Sequence, residues 1–312
     1  MIDKFIFYYF LSSVVSILVS IFLYNKFKIL DVPTKRKIHL NPIPLSGGFA
    51  AFILINIFCL YCILVFKNYT SVIFLFYIVI FSLFILGLVD DLYQINAQKR
   101  IIATIIIYLF FFSQDVFNDN DNFFLINIIN IETFEITFRL NLLQSLIITI
   151  FCVISFQNAM NMIDGINGLS SMILIIINLF IFYYSLNSDY LETNKLIIIF
   201  LIIFFMFNIR SKLFFGESGI YLTTFITSLL IIFCYKRLYI SVEQIILLLI
   251  IPGLDMIRVS LYRLINKISI SRPDKNHLHH IIISRLNDKL CLVIVFFLIV
   301  PLNLLGVLYP NY

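Results

Sequence analysis

Runs of roughly 20 apolar residues recur along this chain with almost no charge inside them, and a stretch of that length is what an α-helix needs to cross the hydrocarbon core of a bilayer. Ten such runs can be marked: Phe5–Tyr24, Gly47–Phe66, Ser71–Val89, Ile101–Ser113, Leu140–Phe156, Leu169–Leu186, Leu196–Ile209, Gly219–Cys234, Val242–Ile257 and Leu290–Leu308. The fourth and seventh are short, so nine spans or a re-entrant segment is the alternative count. Composition agrees, because only 12% of the residues are charged while 62% are hydrophobic. A soluble globule carries about 25% charged residues to cover its surface. The expected fold class is therefore all-α, a polytopic transmembrane helical bundle of about ten membrane-spanning helices, read as one domain over residues 1–312. The first run is longer than a signal-peptide core and lacks a small-residue cleavage site, so it is read as a retained helix.

The polar remainder is distributed unevenly. With ten spans, one set of alternate loops receives sixteen Lys and Arg residues and the other receives six. The positive-inside rule makes the first set cytoplasmic and places both termini outside. The acidic segment Asp115–Glu135 then falls outside. The cytoplasmic set also holds Asp31, Asp90, Asp91, Asp164, Glu217, Asp255 and Asp274 and all four histidines, His39, His277, His279 and His280. Chemistry is expected at that face. The five cysteines lie in apolar stretches, where a thiol behaves as a small hydrophobe. Cys59 and Cys62 form a CxxC with no second pair of ligands nearby.

Five polar constellations stand in those loops. Asp90–Asp91 ends the third run. It reads either as a solvated helix end or as a magnesium site, since hard cations take carboxylate oxygens and keep waters and phosphates as further ligands. Between the fifth and sixth runs, Asn158, Asn161 and Asp164 are three residues apart, so one helical turn aligns them, and Gly165, Asn167 and Gly168 follow. Capping would explain part of that set, but it needs fewer polar groups. His277, His279 and His280 sit in a basic loop with Asp274, and as a group they suit phosphate contacts that stabilise developing charge. The stretch Asp31–His39, with Arg36, precedes Pro44, Gly47 and Gly48, and reads as a topological anchor or an anionic-headgroup site. Phe214–Gly216–Glu217–Gly219 reads as a helix start or a metal carboxylate.

Taken together and in this order, these residues resemble the polyprenyl-phosphate N-acetylhexosamine-1-phosphate transferase family, glycosyltransferase family 4, and within it the WecA/TagO branch. The family order is a D-x-P-x-x-R-K-x-H loop with P-x-x-G-G, a D-D pair, N-x-x-N-x-x-D-G-x-[DN]-G-L, F-x-G-D-x-G and P-D-x-x-H-x-H-H. The match runs from Asp31 to His280. The H-x-H-H form is closer to this branch than to the MurNAc-pentapeptide side, which typically has three consecutive histidines. The chain departs from the pattern at Glu217, where the family has Asp, at Ile220–Tyr221, where small residues are usual, and at Arg100, where a Lys is frequent. Asn167 takes the second acidic position of the D-G-x-D-G form.

The resemblance implies transfer of an N-acetylhexosamine-1-phosphate, with N-acetylglucosamine as the default sugar, from a UDP-sugar to undecaprenyl phosphate, with release of UMP. It implies a divalent metal cofactor, magnesium with manganese as the alternative, held by Asp90, Asp91 and Glu217. Asp90 is either a ligand or the base on the lipid phosphate. Asp164, His277, His279 and His280 complete the expected catalytic set. Asn158, Asn161, Asn167, Phe214, Arg263, Arg36, His39 and Arg100 are expected at the substrates, with Asn161, Asp164 and Phe214 at the nucleotide. The implied location is the bacterial inner membrane, with the active site facing the cytoplasm. The partners are the two substrates and lipid, with no nucleic acid and with a homodimer left open. A transporter or a catalytically weakened family member with a binding role are the rival readings.

Overall fold

The computed structural model describes residues 2–33, 41–65, 70–117, 124–186, 191–269 and 276–308. Each of the ten apolar runs becomes a helix: α1 Ile2–Lys26, α2 Gly47–Val65, α3 Thr70–Tyr93, α4 Ala97–Phe117, α5 Leu142–Ile163, α6 Leu169–Tyr184, α7 Leu191–Asn208, α8 Gly216–Lys236, α9 Val242–Ile265 and α11 Asp288–Leu308. A short helix, α10 (Leu278–Ile283), stands between the last two. Seven of them, α1, α2, α3, α5, α8, α9 and α11, are long and apolar enough to cross a membrane, and α6 and α7 are shorter apolar helices. The protein is a multi-pass membrane helical bundle. The run marked at 101–113 lengthens at both ends, and at its start Asn96 caps α4, its Oδ1 accepting from Gln98 N at 3.0 Å. This pulls Lys99 and Arg100 into the first turn.

The described chain forms two compact units, Met1–Phe111 with Lys195–Phe225, and Phe112–Asn194 with Ile226–Tyr312. In the first unit α1 packs on α2 and α2 on α3, with Phe52 stacked on Phe84 at 4.4 Å. A two-residue ladder pairs β1 (Leu30–Asp31) with β2 (Ile43–Pro44) immediately before α2.

In the second unit α9 packs against α5, α6 and α11. Capping boxes start two of these helices. Asn141 Oδ1 accepts from Gln144 N at 2.9 Å while Gln144 Oε1 accepts from Asn141 N at 3.0 Å, and Ser241 with Gln244 does the same for α9. These bonds satisfy amides that the first turn of a helix cannot. Buried amides tie other helices together: Asn178 Nδ2 donates to Thr227 Oγ1 at 3.1 Å and Asn194 Nδ2 to the Asn178 carbonyl at 3.2 Å. Such bonds join helices where burial of apolar surface supplies no drive, since lipid is as apolar as the helices themselves. The segment read only as acidic and external runs into a β-hairpin, β3 (Ile128–Ile131) and β4 (Ile136–Arg139), around a 3-10 turn at Glu132–Phe134.

Candidate active site

In the first unit the site is built on main chain. The opening amides of α2, which have no partner within their own helix, are taken by the strand-like segment before α8. Gly47 N donates to the Phe214 carbonyl and Gly48 N to the Phe215 carbonyl, each at 2.9 Å, while Phe214 N donates back to the Pro44 carbonyl at 2.9 Å. Two motifs that lie about 170 residues apart in sequence are thus one hydrogen-bonded ledge. Glycine makes the approach feasible. A Cβ on Gly48 would stand 2.1 Å from Ser218 Oγ, and one on Gly87, in α3, 2.2 Å from Ser218 Cα. Helices α2 and α3 therefore both approach Ser218, at the start of α8, through a glycine.

That contact brings Asp91 to the amino end of α8. Its Oδ1 accepts from Glu217 N at 2.7 Å and its Oδ2 from Ser218 Oγ at 3.1 Å. A carboxylate is stabilised there by the free amides and the positive end of the helix dipole. Gly216 takes φ +68°, and its absent Cβ leaves room for the Asp91 carboxylate. Asp90, 4% exposed, turns the other way. Its Oδ1 accepts from Ile95 N at 2.6 Å, which fixes the turn into α4, and its Oδ2 accepts from Arg100 Nη1 at 2.7 Å. The same Arg100 nitrogen reaches Glu217 Oε1, also at 2.7 Å. Two carboxyl groups thus share one guanidinium, and Asp91 is bonded to the Glu217 amide, an excess of acid composed of hard oxygen donors. Among the described residues no three His, Cys, Asp or Glu side chains are close enough to hold a metal ion between them. Paired carboxylates that leave the rest of the shell to water and phosphate suit magnesium.

In the second unit the polar turn between α5 and α6 is tight. Asn158 and Asn161 lie on the last turns of α5, Asp164 ends it, and Asp164 Oδ1 accepts a short hydrogen bond from Ser170 Oγ in α6. Asn167, half-buried, precedes Gly168, whose φ of +86° starts α6. The three histidines gather around α10. His277 Nδ1 is 2.9 Å from Asp255 Oδ2, and Asp255 Oδ1 accepts from Leu278 N at 2.9 Å and Arg258 Nη2 at 2.7 Å. His279 stacks parallel to His277 at 5.8 Å and lies 4.2 Å from His280. A Cβ on Gly165 would stand 2.7 Å from its Nε2, so the D-G step exists to admit this ring. His279 is 2% exposed, and neither of its nitrogens has a hydrogen-bond partner among the described residues. A small apolar cavity between Ile163, Leu169, Ile251 and Val295 adjoins it. Burial, reinforced by His280 and His277, pushes the His279 pKa down to about 3, so the ring is neutral at physiological pH.

A stability consequence follows from that neutrality. The unfolded chain protonates this imidazole near 6.5, whereas the folded chain does so only near 3. The contribution is present above about pH 6.5 and is lost as pH falls from there toward 3. Thermal unfolding of the purified protein at pH 7.5 and pH 5 is expected to show a drop in Tm that His279→Asn reduces. An equal drop in both proteins would mean that the ring is already accessible to protons.

The structure thus assembles Asp90, Asp91, Arg100 and Glu217 in one unit and Asp164, His277, His279 and His280 in the other. Phe214 is half-buried on the ledge, beside Phe215, which is fully buried and stacked on Phe204 at 3.8 Å. Arg263 is 3% exposed within α9. Arg36 and His39 lie outside the described residues, as does Asp274. Sequence reasoning noticed Asp255 among the cytoplasmic acids but gave it no role. It sits inside an apolar run four helical turns from its capping box, with its partner 22 residues away, and only the fold brings them together.

The chain also resembles known proteins over most of its length. Over 257 residues, 80% of this chain and 68% of the relative, it is 27% identical to the "Probable undecaprenyl-phosphate N-acetylglucosaminyl 1-phosphate transferase" of Bacillus subtilis. Over 303 residues, 96% of this chain and 86% of the relative, it is 27% identical to the "Undecaprenyl-phosphate alpha-N-acetylglucosaminyl 1-phosphate transferase" of Thermotoga maritima. The sequence profile described as "Glycosyl transferase family 4" matches residues 72–235, more than half of the chain, from α3 with its Asp90–Asp91 pair to the end of α8. With the carboxylate cluster and the D-G turn both inside that match, the chain belongs to glycosyl transferase family 4.

Proposed function

We propose that this protein transfers N-acetylglucosamine-1-phosphate from its UDP-sugar to undecaprenyl phosphate, at the cytoplasmic face of a bacterial inner membrane. The observation that carries the reading is the clasp of Asp90 and Glu217 on Arg100 beside the Asp91-capped start of α8. It gathers acid and one strong cation from two separate family motifs and from the helix between them. The names of the two relatives supply the acceptor and the sugar. The loop charges supply the orientation.

In the reaction, an oxygen of the lipid phosphate attacks the sugar-bearing phosphorus in line. A new P–O bond forms, the bridging P–O bond of the diphosphate breaks, and UMP leaves with the electron pair. Both reactants are anions, so catalysis consists largely of positioning and charge neutralisation. A pair drawn from Asp90, Asp91 and Glu217, with water and phosphate completing the shell, would hold a magnesium or manganese ion, which when bound offsets charge on the diphosphate. Arg100, held by two carboxylates, places a fixed cation beside them. Asp255 fixes the ring of His277 through Nδ1 and leaves its Nε2 edge for a phosphate or sugar oxygen. His279, neutral and poorly hydrated, can accept or donate one hydrogen bond without bringing a charge. Asn161, Asp164 and the half-exposed Phe214 are assigned to the nucleotide. The polyprenyl tail needs a lipid-facing route, which a helical bundle supplies.

The transporter reading is disfavoured because α3 and α8, which carry the cluster, run as unbroken helices, whereas transporters place polar groups at interrupted spans near the midplane. Purified protein given UDP-N-acetylglucosamine and undecaprenyl phosphate is expected to release UMP only when a divalent ion is supplied. UMP release undiminished by chelation would remove the metal from the scheme. No release with any UDP-N-acetylhexosamine would favour the weakened relative.

A further inference from the structure

The β3–β4 hairpin takes no part in the chemistry above, yet its sequence and register make it sharply two-sided. Cross-strand partners share a face of a ladder and neighbours along a strand alternate between faces. The pairs Ile129↔Phe138 and Ile131↔Ile136 therefore form one face and Asn130↔Thr137 with Ile128↔Arg139 the other. The polar face is confirmed by Thr137 Oγ1 donating to Asn130 Oδ1 at 3.1 Å. On the apolar face Phe138 is 50% exposed and Ile136 43%, Ile129 and Ile131 are half-buried, and Phe134 at the tip is 72% exposed, while Ile128 on the other face is 44% exposed.

Three anchors fix the level of this hairpin relative to the helices of its own unit. The Tyr235 hydroxyl, in the last turn of α8, donates to the Ile128 carbonyl and accepts from Asn130 N. Glu243, in the first turn of α9, accepts from Thr133 N and Oγ1. Leu142, the first residue of α5, follows β4 by three residues. All three helices are long and apolar enough to span a membrane, so the hairpin is tied to span ends, where hydrocarbon meets water. The exposed apolar stripe of α5, Leu143, Ile147 and Phe151, begins beside it.

We propose that the hairpin is a membrane-interface anchor, with Ile136, Phe138 and Phe134 seated among bilayer lipids as a continuation of the lipid-facing stripe of α5. Arg139 on the opposite face is left to water and to headgroup phosphates. This surface is independent of the substrate reading. An amphipathic element of this kind binds lipid by burying apolar area at the headgroup boundary, and here it would fix the tilt of α5 and the depth of α8 and α9.

The chain has no tryptophan, so a single introduced one reports its own surroundings. Phe138→Trp, Phe134→Trp and, as the water-facing control, Thr137→Trp would each be reconstituted in phosphatidylcholine vesicles with and without brominated acyl chains. The first two are expected to emit at shorter wavelength than the control and to be quenched at least twofold more by brominated lipid. The control should be the one quenched by aqueous acrylamide. Acrylamide quenching of all three alike would overturn the anchor. So would short-wavelength emission without quenching by brominated lipid, the result expected if a second copy of the chain covers this face. Two reporters on the apolar surface keep the test decisive should one variant fail to reconstitute.

Discussion

Asp90→Asn is expected to lower turnover about a thousandfold while leaving membrane insertion and the fold intact. The amide keeps the Oδ1 acceptor that holds Ile95 N at 2.6 Å, so the turn between α3 and α4 survives. What disappears is the negative charge on a side chain only 4% exposed, facing Arg100. Arg100 retains Glu217 at 2.7 Å, so no buried cation is stranded, and the cost in stability stays near the roughly 1–3 kcal/mol typical of losing one hydrogen bond to a charged group. Loss of one preorganised electrostatic contact in a catalytic site costs about a hundred- to a thousandfold. Asp90 stands at the upper end because it also fixes the guanidinium. UMP release measured beside a thermal melt checks this. Turnover within a few fold of the starting protein would reduce Asp90 to a helix-end residue that ties α3 to α4.

Gly87→Ala is expected to be as damaging as any change to a charged residue, although it adds one methyl group to a span. That methyl would stand 2.2 Å from Ser218 Cα and 2.4 Å from Ser218 N, and both are main-chain atoms that cannot rotate away. The start of α8 must move, by about 1 Å or more if ordinary van der Waals contact near 3.5–4.0 Å is to be restored. Movement of Ser218 carries Glu217 N off Asp91 and Glu217 Oε1 off Arg100. Overpacking costs about 1–3 kcal/mol, and a misplacement of about 1 Å can cost a hundredfold in rate. The expected result is a lower Tm together with turnover down by about a hundredfold or more. By contrast, Gly253→Ala, with nothing within 4 Å of its Cβ, should change neither. Normal activity of Gly87→Ala would mean that α3 and α8 do not approach this closely in the membrane.

All ten long helices were legible as apolar runs because a bilayer demands length and apolarity, and both are properties of a single segment. The polar constellations were legible too, as clusters within a few residues of one another. What could not be read was pairing at a distance. Nothing near Gly47–Gly48 announces that their amides bind the main chain of Phe214 and Phe215. The capping of α8 by Asp91 joins residues 126 positions apart. Asp255 was hidden by its apolar neighbours, and the hairpin by the brevity of its four-residue strands. The glycines show the same limit. Gly87 lies inside an apolar run with nothing polar beside it until Asp90, and only the approach of Ser218 gives it a purpose.

The first unit is interrupted in sequence: residues up to Phe111 must wait for Lys195–Phe225. A ribosome therefore delivers Asp90, Asp91 and Arg100 to the membrane long before the segment that completes them exists. During that interval α3 ends on two carboxylates with no α8 to cap, and the first amides of α2 lack the Phe214–Phe215 ledge. Synthesis runs at about 5–20 residues per second, so the delay lasts several seconds. The nascent protein must park these groups at the water boundary until α8 arrives, which makes the carboxylate cluster the last part of the first unit to mature. A chain truncated after α7 would insert, yet it would expose an unfinished acidic end for quality-control proteases to find.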